Sequence, residues 1–210
     1  MEKWYSSLAE VPKLGYESNP SVERTRLPGY GAKPRIERYE WEGKRRQALW
    51  WTVKGNSSSA APAVQLESSP RPGETPAQTA LRHCHEALEL PGTLSNYHFI
   101  IQGAHEAIWK YRRQEPWVVE ETERLCWLDL NLIRAYPEAI TFDEYSNDEM
   151  PRFPVVLGLY RLIRLYEAEG YLQEALEVAK LAVEFKQLPL ELERLEEKVR
   201  TLNAEGEGVI

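Results

Sequence analysis

Cysteine is scarce in this 210-residue chain, which has only Cys84 and Cys126. That excludes a disulfide framework and leads to the expectation of a reducing, cytoplasmic location. Long apolar runs are also missing. No window holds 18 uncharged apolar residues, and Met1 to Tyr5 lack the apolar core of a signal peptide, so no membrane association is expected. The chain carries no phosphate-cradling glycine loop, no Gly-x-Ser-x-Gly elbow and no Cys-His nucleophile arrangement. His85-Glu86 and His105-Glu106 each lack the second histidine of a zinc-binding helix. Neighbours such as His83, Cys84 and His85 point about 100° apart on a helix and cannot converge on one ion. Asp143-Glu144 and Asp148-Glu149 lack the glycine and the closing glutamate of a calcium loop and read as a solvated segment. No metal, no cofactor and no catalytic residue set is expected, and an enzyme ranks third among the functional readings.

Charge divides what is present. Residues 1–60 hold 11 Lys and Arg against 7 Asp and Glu, whereas residues 61–210 hold 15 against 26, within a formal net charge of −7. Gly55 to Pro76 separates the two with serines and prolines and no aromatic residue, too little apolar surface to offset the entropy of ordering it. The expected organisation is an irregular segment and hairpin over 1–54, a flexible linker over 55–74, a helical domain over 75–203 and a tail over 204–210.

Within the basic part, Ile36 to Trp41 and Ala48 to Lys54 read as two strands around Glu42-Gly43-Lys44, and residues 1–34 as mostly irregular. A lone hairpin is marginal in water, so it needs a partner surface. Lys44, Arg45 and Arg46 beside Trp50 combine cations for phosphates with a ring for a base, the pairing that single-strand binders use. The alternative is that the cations solvate a turn while the rings fill a small core.

The acidic part is periodic at helical steps. Thr75-Pro76-Ala77-Gln78 reads as a capping box with proline in the first helical position, which starts the first helix. Leu94 to Arg113 and Pro116 to Tyr136 are each long enough for one helix. Further on, Leu159, Leu162 and Tyr166 form one stripe and Leu172, Leu176, Ala179 and Val183 another, with Gly170 between them. Ala175, Ala179 and Ala182 keep one face of the second helix slim.

The pattern Leu159-x2-Leu162-Ile163-x2-Tyr166, Gly170, Ala175-x3-Ala179-x2-Ala182, Pro189 resembles a tetratricopeptide (TPR) repeat over residues 157–189. Ala80-Leu81, Cys84, Ala87-Leu88 and Pro91 echo it over 80–91, 95 residues upstream. The fold class expected is mainly α: an irregular antiparallel helical-repeat, TPR-like domain with a small N-terminal β-hairpin region. The resemblance implies a protein- or peptide-binding scaffold, and that the first helix of the pair lines a groove with Tyr160, Arg161, Arg164 and Glu167. Two guanidinium groups beside a tyrosine suit an acidic peptide or a terminal carboxylate. Equally, either arginine has an acidic partner available on its own or an adjacent helix. A second candidate stripe runs through His98, Gln102, His105 and Trp109.

The last pattern is Leu181, Phe185, Leu188, Leu192, Leu195, Val199 and Leu202, in unbroken four-three steps that Pro189 interrupts. It reads as a separate terminal helix capping the last repeat, with homodimerisation through that helix as the alternative. The leading functional reading is a scaffold or adaptor that binds a protein or peptide. A nucleic-acid-associated regulator using the hairpin follows it.

Overall fold

A computed structural model describes residues 7–27, 35–41, 43–53, 56–59, 66–137 and 155–207, with 35–39, 41, 44–53, 56–59 and 205–207 as backbone alone. The described chain is mainly helical. Six helices follow one another: α1 Pro76–Leu88, α2 Leu94–Trp109, α3 Trp117–Ala135, α4 Leu157–Glu169, α5 Leu172–Glu184 and α6 Pro189–Glu207. Ahead of them the backbone forms β1 Arg35–Trp41, β2 Lys44–Val53 and β3 Asn56–Ser59, with β2 antiparallel to both neighbours. The chain divides into two compact units between residues 152 and 153. That division falls inside the helical region 75–203.

In the first unit, α1 starts where the sequence predicts. The Thr75 hydroxyl accepts the Gln78 N–H at 3.2 Å, and the Gln78 side chain accepts the Thr75 N–H at 3.0 Å. Thr93 and Asn96 cap α2 in the same reciprocal way, satisfying donors that a helix start otherwise leaves open. α1, α2 and α3 then pack in sequence order around Leu88, Tyr97, Ile101, Ile108, Val118, Leu125 and Leu132. The buried Tyr97 hydroxyl donates to the Leu90 carbonyl at 2.7 Å, so a large apolar ring enters the core without an orphaned polar tip. Leu8 and Val11, from the segment expected to be irregular, belong to the same core. Its described residues, 7–27, are neither α-helix nor strand, apart from single turns at Leu8–Glu10 and Arg24–Arg26, so no periodicity marks them. Leu8, Val11 and Leu27 are their buried apolar residues.

The second unit is a three-helix stack in which α5 packs against both α4 and α6. Gly170 closes α4 with φ at 84°, in the left-handed region where glycine has no steric penalty, and the Tyr171 N–H reaches back to the Tyr166 carbonyl at 2.8 Å. Ala175, Ala179 and Ala182 are fully buried on α5. Between α5 and α6 the chain turns through Lys186 and Leu188, both at positive φ, and Pro189 opens α6, where its missing N–H costs nothing. The four-three stripe therefore belongs to two helices. Leu195 is fully buried, while Leu202 is exposed.

Candidate functional site

α1 presents a chain of interacting polar side chains, Arg82, His85 and Glu86 with Glu89 at its end, and two non-helical arms lie along it. The first arm is residues 7–27. Leu8 and Val11 anchor its start, and the Tyr136 hydroxyl holds the Pro12 carbonyl. Beyond a turn at Lys13 and Gly15, both at positive φ, the arm meets Glu89 at the end of α1. Glu89 Oε1 accepts the main-chain N–H of Asn19 at 2.7 Å and the Tyr16 hydroxyl at 3.3 Å, while Arg24 Nε stands 2.7 Å from Oε2. Burial, and the Glu89 charge after it, push the Tyr16 hydroxyl far above the ordinary tyrosine range, so it stays a donor.

One turn back along α1, Asn19 Nδ2 lies 3.0 Å from His85 Nδ1, and His85 Nε2 lies 3.3 Å from Glu121 of α3. Asn19 is oriented for this because its own carbonyl oxygen accepts from the Ser21 N–H and hydroxyl. Burial works to raise the Glu121 carboxyl. Hydrogen bonds from His85 and Arg124 outweigh it and hold the group at about 2.

The second arm is residues 66–74, the end of the stretch expected to be a flexible linker. Arg82 fastens it. All five guanidinium N–H groups have acceptors: Glu74 Oε1 at 2.7 Å and Oε2 at 3.1 Å, Glu86 Oε2 at 3.1 Å, and the Glu67 and Ser69 carbonyls at 3.4 and 2.9 Å. Arg71 adds a 2.6 Å bond to Glu86. The Arg82 hydrogen bond, with the Arg71 N–H behind it, holds the Glu74 carboxyl at about 2. Leu66 is buried. A cleft of about 840 Å³ lies between the two arms, bordered by Leu27, Leu66, Arg71 and Glu74 and floored by Leu81 and Arg82. Since Arg82 has no donor left, the cleft is shaped by groups already committed to holding the arms.

The residues singled out in the sequence fall in three places. On α4, Tyr160 is 42% exposed and the Arg164 guanidinium lies 5.3 Å from its ring centre. Arg164 also reaches to 4.0 Å from Glu191 of α6. Glu167 is taken by α6: Arg194 forks onto it with two 2.7 Å bonds and Lys198 adds a third at 2.8 Å. Those hydrogen bonds hold the Glu167 carboxyl at about 2. Arg161 is partly buried, with its Nε inside the unit. Tyr160 and Arg164 thus stay together at the surface, while Arg161 and Glu167 do not join them.

On α2, the stripe of His98, Gln102, His105 and Trp109 is no open face, because His98 and His105 are fully buried. His98 Nδ1 meets Asp129 Oδ1 of α3 at 2.8 Å, both side chains without solvent exposure. Thr122 of α3 is also fully buried. Burial raises the Asp129 carboxyl above its usual range, against the pull of His98. Trp109 carries the Arg112 guanidinium 4.6 Å from its ring centre. The side chains of Lys44, Arg45, Arg46 and Trp50 lie outside the described residues.

Glu89, Asn19 and Arg82 were not legible as a site. A single glutamate at a helix end and an arginine in mid-helix carry no motif, and their partners lie up to 73 residues away in segments without periodicity. Among the described residues no group of three His, Cys, Asp or Glu side chains is placed to hold a metal ion, and no helix is long and apolar enough to cross a membrane. Cys84 is buried, which pushes its thiol up to about 12, far from a thiolate nucleophile. No family model, curated protein or solved structure matches the chain.

Proposed function

We propose that this protein is a helical scaffold that binds other polypeptides. One observation carries the reading: a buried carboxylate at the end of α1, Glu89, receives a main-chain N–H and a guanidinium from a separate arm of the chain, which turns between Asn19 and Arg24. That is the chemistry by which a helical surface captures a peptide without demanding that the peptide be folded. The α4–α5 pair, with its left-handed Gly170 turn and slim alanine face, supports a TPR-like repeat nature for the second unit. Tyr160 with Arg164 offers that unit a second contact, suited to an acidic partner because arginine donates in a fixed plane. The reading includes a cytoplasmic location.

A specific observation favours a second reading, nucleic-acid association through the N-terminal hairpin. In the backbone register, Lys44 stands opposite Trp41, Arg46 opposite Tyr39 and Trp50 opposite Arg35, so three cation–aromatic pairs share one face with the Glu37–Ala48 pair. Arg45, opposite Glu40, belongs to the other face. Such a face suits single strands, by stacking and phosphate contact.

The test is selection from a library of unstructured peptides on the immobilised full-length protein, with a single-stranded oligonucleotide titrated in parallel at low salt. Retention of peptides that compete with one another supports the scaffold. Retention of the oligonucleotide alone moves the assignment to the hairpin.

A further inference from the structure

We infer that the Glu89 pocket is an arginine-recognition site for a peptide that turns between its main-chain donor and its arginine, held closed in this chain by its own Arg24. The inference rests on the scaffold reading and names the chemistry that the site selects. Glu89 is 1% exposed at the side chain and sits at the C-cap of α1. Burial and the negative end of a helix both disfavour a carboxylate, so a cation has to accompany it. Its cation is Arg24, whose side chain is 43% exposed and which stands on a single turn of helix outside the packed bundle. Glu89 also takes the Asn19 main-chain N–H and the Tyr16 hydroxyl. The pocket therefore reads a guanidinium together with a main-chain donor five residues before it.

The arm is built to open in part. Leu8 and Val11 lie in the core, and Tyr136 holds Pro12, so the start of the arm is fixed. Lys13 and Gly15, at φ 62° and 68°, form a turn, and only after it come Tyr16, Asn19 and Arg24. The strap from Tyr16 to Leu27 lies over α1 through polar contacts with Glu89 and His85, together with the Tyr16 ring packed against the core and the buried Leu27 at its end. A second polypeptide that supplies a guanidinium and the preceding N–H replaces two of the four polar contacts, those of Arg24 and the Asn19 N–H on Glu89, while Leu8 and Val11 stay in place. An ammonium in the same position lacks the planar fork.

The experiment uses the full-length protein and a fluorescent peptide of residues 16–27. Arg24→Ala should bind the peptide at least tenfold more tightly than wild type, because the internal competitor is gone. Citrulline in place of the peptide's Arg24, which keeps the shape and removes the charge, should abolish that gain, as should Glu89→Gln in the protein. A folded Arg24→Ala protein that binds no better than wild type, or that binds the citrulline peptide equally well, overturns the inference. If Arg24→Ala does not hold its fold, helical circular dichroism is followed with added methylguanidinium or methylammonium. Recovery with methylguanidinium alone supports the pocket, and recovery with neither or with both overturns it. The scaffold reading fails separately, if the wild-type protein retains no polypeptide from the library on any face.

Discussion

Replacing Arg82 with alanine is the sharpest structural perturbation available, because one side chain joins α1 to the second arm. The guanidinium is 12% exposed and donates five hydrogen bonds. Its removal strands two carboxylates unequally. Glu86, 8% exposed, keeps Arg71, and Glu74 keeps the Arg71 N–H and the Thr79 hydroxyl. The Glu67 and Ser69 carbonyls lie at the surface and rehydrate. The loss should therefore sit at the low end of what breaking a buried ion pair costs, about 3 kcal/mol. Lysine, a single ammonium with three donors, cannot bridge both carboxylates and both carbonyls, and Arg82→Lys should recover less than half of it. Urea denaturation measures the energy, and amide hydrogen exchange should show protection lost over 66–74 before any loss in α2. A change of under about 0.5 kcal/mol with protection intact would mean that Arg82 acts as an ordinary surface pair, and the account of the second arm would be refuted.

Two backbone substitutions should act in opposite directions by thermal melting. Gly170→Ala meets no atom within 4 Å, so its cost, about 1 kcal/mol, is purely the left-handed backbone, whereas Lys186→Gly at φ 56° should stabilise by about 1 kcal/mol. Two buried or paired carboxyls should also differ in the sign of their pH dependence. Asp129 has a raised folded value, so its contribution is complete below the unfolded value near 3.8 and is lost as pH rises through the folded one; Asp129→Asn should flatten that limb in urea midpoints. Glu167 has a lowered value of about 2, so its contribution is present above the unfolded value near 4.5 and is lost as pH falls toward 2; Glu167→Gln should remove that acid limb.

What was legible in the sequence follows from periodicity and local capping. The Thr75 capping box, the Gly170 turn and the break at Pro189 are short-range signals, each decided within a few residues, and each stands where its residues predict. Long-range pairing was not legible. His98 and His105 share a helical stripe, but nothing in α2 alone tells a solvent-facing stripe from a buried one whose His98 meets Asp129, 31 residues away. Leu8 and Val11 sit in an aperiodic segment, so no pattern marks them as core. Glu167 was read as lining a groove because its pairing with Arg194 and Lys198 of α6, 27 and 31 residues away, leaves no mark in the sequence of α4. Fold elements are written locally, whereas a site made by an arm lying on a helix depends on pairings across 66 to 73 residues.

The central claim, that the surface of α1 and α3 beneath the strap captures a segment of polypeptide, is tested most directly by amide hydrogen exchange on the full-length protein with and without a library-selected peptide. The account predicts protection gained at the C-terminal end of α1 around His85 and Glu89 and along α3 around Glu121, together with protection lost over residues 16–27 as the strap gives way. Protection confined to α4 and α6, or to the strands, with 16–27 unchanged, would contradict it.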